Sequence, residues 1–197
     1  MKNRFKKFVV LVMGVMLMFS LSACTKDDNN TPTEMIIKPS SFSKETTDVL
    51  KLFDDELQFF DITLNETAKS ERITIWIYKD GEWVQAGHTT GAVNQLNRRI
   101  AIRLTETNYD LYSIEDTGYN KYSSSNLDTT FSESMGISRI RIDGDTPIEL
   151  NKEIPIVVKF GTDKDYLKVY DISEDFREYE CNAGIAITLT VSDQEAK

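Results

Sequence analysis

The chain has 197 residues, with 23 Lys+Arg against 32 Asp+Glu, 40% hydrophobic residues, nine glycines, four prolines, two cysteines and one histidine. These proportions are those of a globular chain and exclude collagen-like and low-complexity classes. A net charge of −9 excludes a nucleic-acid binder, which needs a basic face for phosphates, and two cysteines exclude a disulfide framework.

Met1 to Lys7 carries Lys2, Arg4, Lys6 and Lys7 with no acid, and Phe8 to Phe19 is an apolar run interrupted only by Gly14. A basic start followed by a short apolar run is the pattern of a secretory signal, and the run falls short of the roughly 20 residues that span a bilayer. Leu21-Ser22-Ala23-Cys24 follows. This tetrad resembles the lipobox of bacterial lipoproteins. The resemblance implies cleavage before Cys24 and acylation of its thiol, and so an extracytoplasmic protein held by lipid on the cell membrane or the outer membrane. Loss of residues 1–23 with their four cations would take the net charge from −9 to −13. So acidic a body is repelled by anionic headgroups, which leaves the acyl chain as the membrane contact. With Cys24 acylated only Cys181 remains, so stability must come from a packed core.

Residues 24–41 are polar, with Pro32 and Pro39, and predict a tether, leaving residues 42–197 as one domain. Lys26-Asp27-Asp28 also resembles the short acidic signals that send some lipoproteins to the outer surface of certain Gram-negative envelopes; as a plain polar linker it leaves the envelope type open. Ser43 to Asp55 predicts one short helix, with Ser43 as N-cap and Val49, Leu50 and Phe53 on one stripe.

Nine short, β-branched, largely alternating runs are predicted as strands: Leu57–Leu64, Arg72–Lys79, Glu82–Ala86, Arg98–Leu104, Tyr109–Ile114, Ile137–Ile142, Ile154–Phe160, Tyr166–Tyr170 and Gly184–Val191. With no long helical pattern among them, they predict an all-β fold, an antiparallel β-sandwich of immunoglobulin-like or jelly-roll-like kind with one short N-terminal helix. Tyr119 to Thr130 is predicted as a loop. The basic pairs Arg98-Arg99 and Arg139/Arg141 are expected to lie over a wet sheet face.

Asp80-Gly81 between two strand runs predicts a two-residue type I′ hairpin. That turn sets Lys79 opposite Glu82, Tyr78 opposite Trp83, Ile77 opposite Val84, Trp76 opposite Gln85 and Ile75 opposite Ala86. One face then carries Ile73, Ile75 and Ile77, and the other carries Trp76, Tyr78 and Trp83. An exposed aromatic face of this kind would make a platform for a sugar ring; a covered one would be ordinary packing. Trp76, Tyr78 and Trp83 are therefore the candidate ligand-binding residues. Tyr109, Tyr112, Tyr119 and Tyr122 form a second aromatic group, read either as half-buried strand residues or as binding-loop tyrosines.

His88, in Gly87-His88-Thr89-Thr90-Gly91, is predicted on a surface loop. No nucleophile elbow, zinc helix, phosphate loop or dinucleotide fingerprint is present, and nothing calls for a cofactor. Cys181 reads as a small buried hydrophobe. Asp143-Gly144-Asp145 and Asp163-Lys164-Asp165, with Asp171, Glu174 and Asp175, place oxygens as calcium ligands would, but without EF-hand spacing, and turns built from Asp and Gly explain them. Together these features predict a membrane-anchored lipoprotein whose domain is a non-catalytic binding or accessory module for a glycan or another envelope protein. An envelope hydrolase working through a carboxylate pair is the alternative.

Overall fold

The structure, a computed structural model, describes residues 34–53, 56–105, 108–115, 117–125 and 127–196. Every described element belongs to one compact unit, Pro32–Lys197. Cys24 and the lipobox lie outside the described residues. Among those described, no helix is long and apolar enough to cross a membrane.

Among the described residues, eleven strands form two antiparallel sheets. The first runs β7 (Gly118–Ser125), β6 (Asn108–Glu115), β5 (Asn97–Leu104), β2 (Leu57–Thr63), β1 (Ile36–Pro39), β9 (Thr146–Pro147) in spatial order. The second runs β4 (Glu82–Ala92), β3 (Ser70–Lys79), β11 (Ala183–Ser192), β10 (Glu153–Thr162), β8 (Gly136–Arg141). The expected sandwich is therefore present, with the short helix α1 (Lys44–Leu50) capped by Ser43, whose Oγ accepts from Thr46 N at 3.3 Å.

The core is made by strand alternation. Ile37, Phe60, Ile62, Ile100, Ile102, Leu104 and Leu111 of the first sheet meet Ile73, Ile75, Ile77, Ile156, Ile185, Ile187, Leu189 and Val191 of the second. Each such side chain contributes about 1.5–3 kcal/mol when fully buried. On the outer side of the first sheet Asp61 accepts from Arg99 Nε at 2.7 Å and from Ser40 Oγ at 2.8 Å. Lys159 is fully buried near one end of the sandwich, its Nζ 4.3 Å from the Phe131 ring centre and donating to the Thr105 carbonyl at 3.4 Å.

Four expectations are corrected. The tether ends earlier, because Ile36–Pro39 pairs with β2 and β9 as strand β1. The polar stretch after Tyr119 is strand up to Ser125, since β7 pairs along β6 and needs only one covered face. Residues 166–170 form no strand; they belong to a connection over 163–182 that folds across the outer face of the second sheet. Finally, the stripe on α1 is not a core stripe: Val49 is 57% exposed and no residue of the helix is buried.

The 163–182 connection explains why β10 and β11 are buried along almost their whole length. Phe176, Tyr170, Tyr179 and Cys181 pack on Val158, Phe160 and Ala186, so this sheet has apolar cover on both faces. Tyr170 and Tyr179 stack with ring centres 4.0 Å apart. Glu153 ties connection to sheet: its carboxylate accepts from Trp76 Nε1 at 2.9 Å, Thr188 Oγ1 at 2.6 Å and Arg177 Nη2 at 2.7 Å.

Two stability predictions follow from this packing. A Cβ at Gly184 would lie 2.8 Å from Cζ2 of Trp83, so Gly184→Ala must displace a ring already held by Phe176. Urea unfolding of the 25–197 fragment, which contains every described element, should show about 1–3 kcal/mol lost; an unchanged midpoint would contradict the close contact. Asp61 is raised by partial burial but pulled further down by Arg99 and Ser40, ending below its usual 3.8. A carboxylate with a depressed folded pKa stabilises above its unfolded value and stops doing so as pH falls through the folded one. Asp61→Asn should therefore cost stability at pH 7, and the cost should shrink as pH falls below 3.8, read as a converging pair of acid-unfolding curves.

Candidate functional site

The hairpin turn is as expected: Asp80 and Gly81 have φ of 53° and 92°, both positive. Lys79, Tyr78, Ile77 and Trp76 face Glu82, Trp83, Val84 and Gln85 as predicted. The register then slips, and Ile75 faces Gly87 rather than Ala86 across a β-bulge. The strand continues to Ala92, so His88 lies in β4 opposite Thr74, not in a loop. It is exposed on the outer side of the sheet, with Nδ1 3.1 Å from Gln85 Nε2.

Trp76, Tyr78 and Trp83 do share the outer face, and all three are partly buried against the 163–182 connection. Phe176 sits edge-on to Trp83 at 5.0 Å and tilted to Trp76 at 6.1 Å. The Arg177 guanidinium lies 4.3 Å over the Trp76 ring, a cation–π contact. A stacked sugar would have to displace Arg177 and with it the ion pair to Glu153. The aromatic face is occupied by the protein itself.

Cys181 is buried in the same cluster, and burial pushes its thiol up to about 12. Asp143, Asp145, Asp163 and Asp165 are exposed, and among the described residues no group of three or more His, Cys, Asp or Glu is arranged to hold a metal ion.

The inter-sheet space opens instead along its flank, where β4 edges one sheet and β6 and β7 edge the other. A cavity of about 340 Å³ lies there, within the lower part of the roughly 300–1,000 Å³ usual for ligand sites. It exists because the bulge hands the inward positions of β4 to Gly87, Thr89 and Gly91, opposite Ile75, Ile73 and Glu71. Small and polar inward residues on the facing strands, Ser113 and Asn120, leave the gap unfilled.

Two charged residues reach into this space. Glu71 precedes Ile73, Ile75 and Ile77 on β3, and Arg98 precedes Ile100, Ile102 and Leu104 on β5, each at the inward parity of its strand. Arg98 is thus not the wet-face residue expected; its neighbour Arg99 is the outward one, held by Asp61. The Arg98 and Glu71 side chains are only 8% and 15% exposed, and Arg98 Nη2 contacts Glu71 Oε2 as an ion pair. Arg98 Nε finds no hydrogen-bond partner among the described residues. Burial lowers the guanidinium to about 10, with Glu115 opposing the shift, so it stays charged at neutral pH. At the rim, Lys121 pairs with Asp110 at 3.1 Å, and Tyr122 lies near Tyr109 at 6.2 Å between ring centres.

Comparison with family models, with curated proteins and with solved structures returned no match.

Three outcomes test these placements. Breaking the buried pair with Glu71→Ala strands a charge and should cost about 3–5 kcal/mol, read by urea unfolding; a surface-pair loss of well under 1 kcal/mol would mean the guanidinium is solvated. Gly91→Val should leave stability nearly unchanged, since a Cβ there meets nothing within 4 Å. At pH 8 the Cys181 thiol of the native 25–197 fragment should resist alkylation and react only in denaturant, because it ionises near 12 when folded.

Proposed function

We propose that the chain is a lipid-anchored, non-catalytic binding module of a bacterial envelope, and that its ligand, a small polar molecule, occupies the flank cavity. The anchor rests on the basic start, the apolar run and the Leu21-Ser22-Ala23-Cys24 tetrad. The binding role rests on one observation: a cavity of about 340 Å³ whose lining includes a buried ion pair, Arg98 and Glu71.

A buried ion pair carries a desolvation cost, and an apolar pair at these positions would extend the isoleucine stripes without that cost. A polar ligand in the cavity beside the pair gives the arrangement a use. Glu71, the buried carboxylate, is neutralised by Arg98, which suits holding a molecule better than moving a proton. His88 and Cys181 are both remote from the cavity, on the outer side of the second sheet. With the Trp76, Tyr78 and Trp83 face covered by Phe176 and Arg177, the flank is the better place for a ligand.

Both halves of the proposal have direct tests. In a bacterial host, the full chain should fractionate with membranes and incorporate labelled fatty acid, and Cys24→Ala should do neither; membrane retention by the Cys24→Ala chain would remove the anchor. In the 25–197 fragment, Gly91→Val should fill the cavity and abolish binding of any ligand that the wild type takes there, at unchanged fold.

A further inference from the structure

We propose that the open edge of β4 is a self-association surface, where Gly87–Ala92 pairs antiparallel with the same stretch of a second copy of this chain across a two-fold axis. The second sheets of the two copies then run on as one. This inference stands apart from the ligand proposed above, which it neither needs nor excludes.

A sheet edge exposes backbone N–H and C=O groups that can template a further strand, and proteins blunt such edges with short strands, proline, bulges or charges. Among the described residues the two sheets end in β7, β9, β4 and β8. Strand β9 has two residues and ends in Pro147. Strand β8 has six and carries Arg139 and Arg141. Strand β7 carries Lys121 in its middle. The longest of the four is β4, with 11 residues, and from Trp83 to Ala92 it holds no Asp, Glu, Lys, Arg or Pro. The uncharged run continues to Asn97, in a chain that is 28% charged. The bulge of β4 lies toward the hairpin end; beyond it Gly87–Ala92 pairs without interruption along Ile75–Ser70. No strand among the described residues lies on its other side.

Composition also selects the occupant. Antiparallel pairing across a two-fold axis sets each residue against itself or a near neighbour in the copy, so a charge close to the axis meets its own sign. Pairing β8 in this way would crowd Arg139 and Arg141 against the same residues of the copy, and pairing β7 would do so with Lys121. Strand β4 meets no such penalty. A foreign strand of opposite charge would be selected by charges on the edge, and from Trp83 onward β4 presents none. Two copies of a chain with net charge −9 repel one another, and this uncharged strip is where they can approach with least repulsion. Thr89 and Thr90 at the centre of the stretch are β-branched and favour strand pairing, while Gly87 and Gly91 put no side chain in the way. Alternation leaves His88, Thr90 and Ala92 exposed on the outer side, where two-fold pairing sets them beside the same residues of the copy.

The test is sedimentation velocity of the 25–197 fragment over a concentration series. The wild type should pass from monomer to dimer, more readily at high salt, which screens the repulsion. Amide exchange over residues 87–92 should slow as the dimer forms. Thr90→Lys and Thr90→Glu, each confirmed as folded by circular dichroism, should each weaken the dimer tenfold or more, and an equimolar mixture of the two should restore it. Tyr119→Lys, on an edge of the other sheet, should leave it unchanged. A wild type that stays monomeric up to its solubility limit would overturn the proposal and leave the edge to a strand of another protein. A dimer that survives in both folded Thr90 variants, or that is lost in each and not restored by mixing them, would overturn two-fold pairing through β4.

Discussion

Everything in this fold hangs on the second sheet being covered on both faces. Its inner side meets the isoleucines of the first sheet, and its outer side meets the 163–182 connection through Phe176, Tyr170 and Tyr179. That double cover is why β10 and β11 read as nearly unbroken apolar strands, in contrast to the alternation of β5. It also packs the connection against the tryptophans. Phe176 and the Glu153–Arg177 bridge occupy the space in which a ligand would stack.

Glu153 shows how such a cover stays in place. One carboxylate collects an indole, a hydroxyl and a guanidinium from β3, β11 and the connection. Trp76 is partly buried and Thr188 fully buried, so these two hydrogen bonds stabilise more than they would in water, while Arg177 pairs from the exposed side. The connection is otherwise a run of turns with a short 3₁₀ segment capped by Asp175. It has no ladder of its own and depends on this hub and on its aromatic contacts.

Much of the architecture was legible. Parity along β3 and β5 placed the isoleucines inward, and Asp80-Gly81 fixed four pairs of the hairpin. What escaped was non-local. Residues 166–170 have the β-rich composition of a strand, but Tyr166, Leu167 and Val169 find no partner strand and lie exposed. The β4 bulge is invisible as a motif, because Gly87-His88-Thr89-Thr90-Gly91 reads as a loop until β3 is seen to pair along it. Strand β7 escaped because serine and asparagine dominate it, and an edge strand with one covered face needs little hydrophobicity.

The cavity's charged pair, by contrast, was written in the sequence and needed only the parity argument carried to its end. Arg98 shares the phase of Ile100 and Ile102, and Glu71 that of Ile73 and Ile75, so the strand pattern that buries the isoleucines buries these two as well. Reading Arg98 with Arg99 as a basic pair hid the fact that neighbours in a strand face opposite ways. The same phase puts Gly91 opposite Glu71 and Thr89 opposite Ile73, so the void and the charges arise in one place from one register. A buried pair and an unfilled volume both weaken a fold, and aliphatic side chains at these positions would remove both weaknesses at once. They coincide at an opening of the sandwich rather than being scattered through the core.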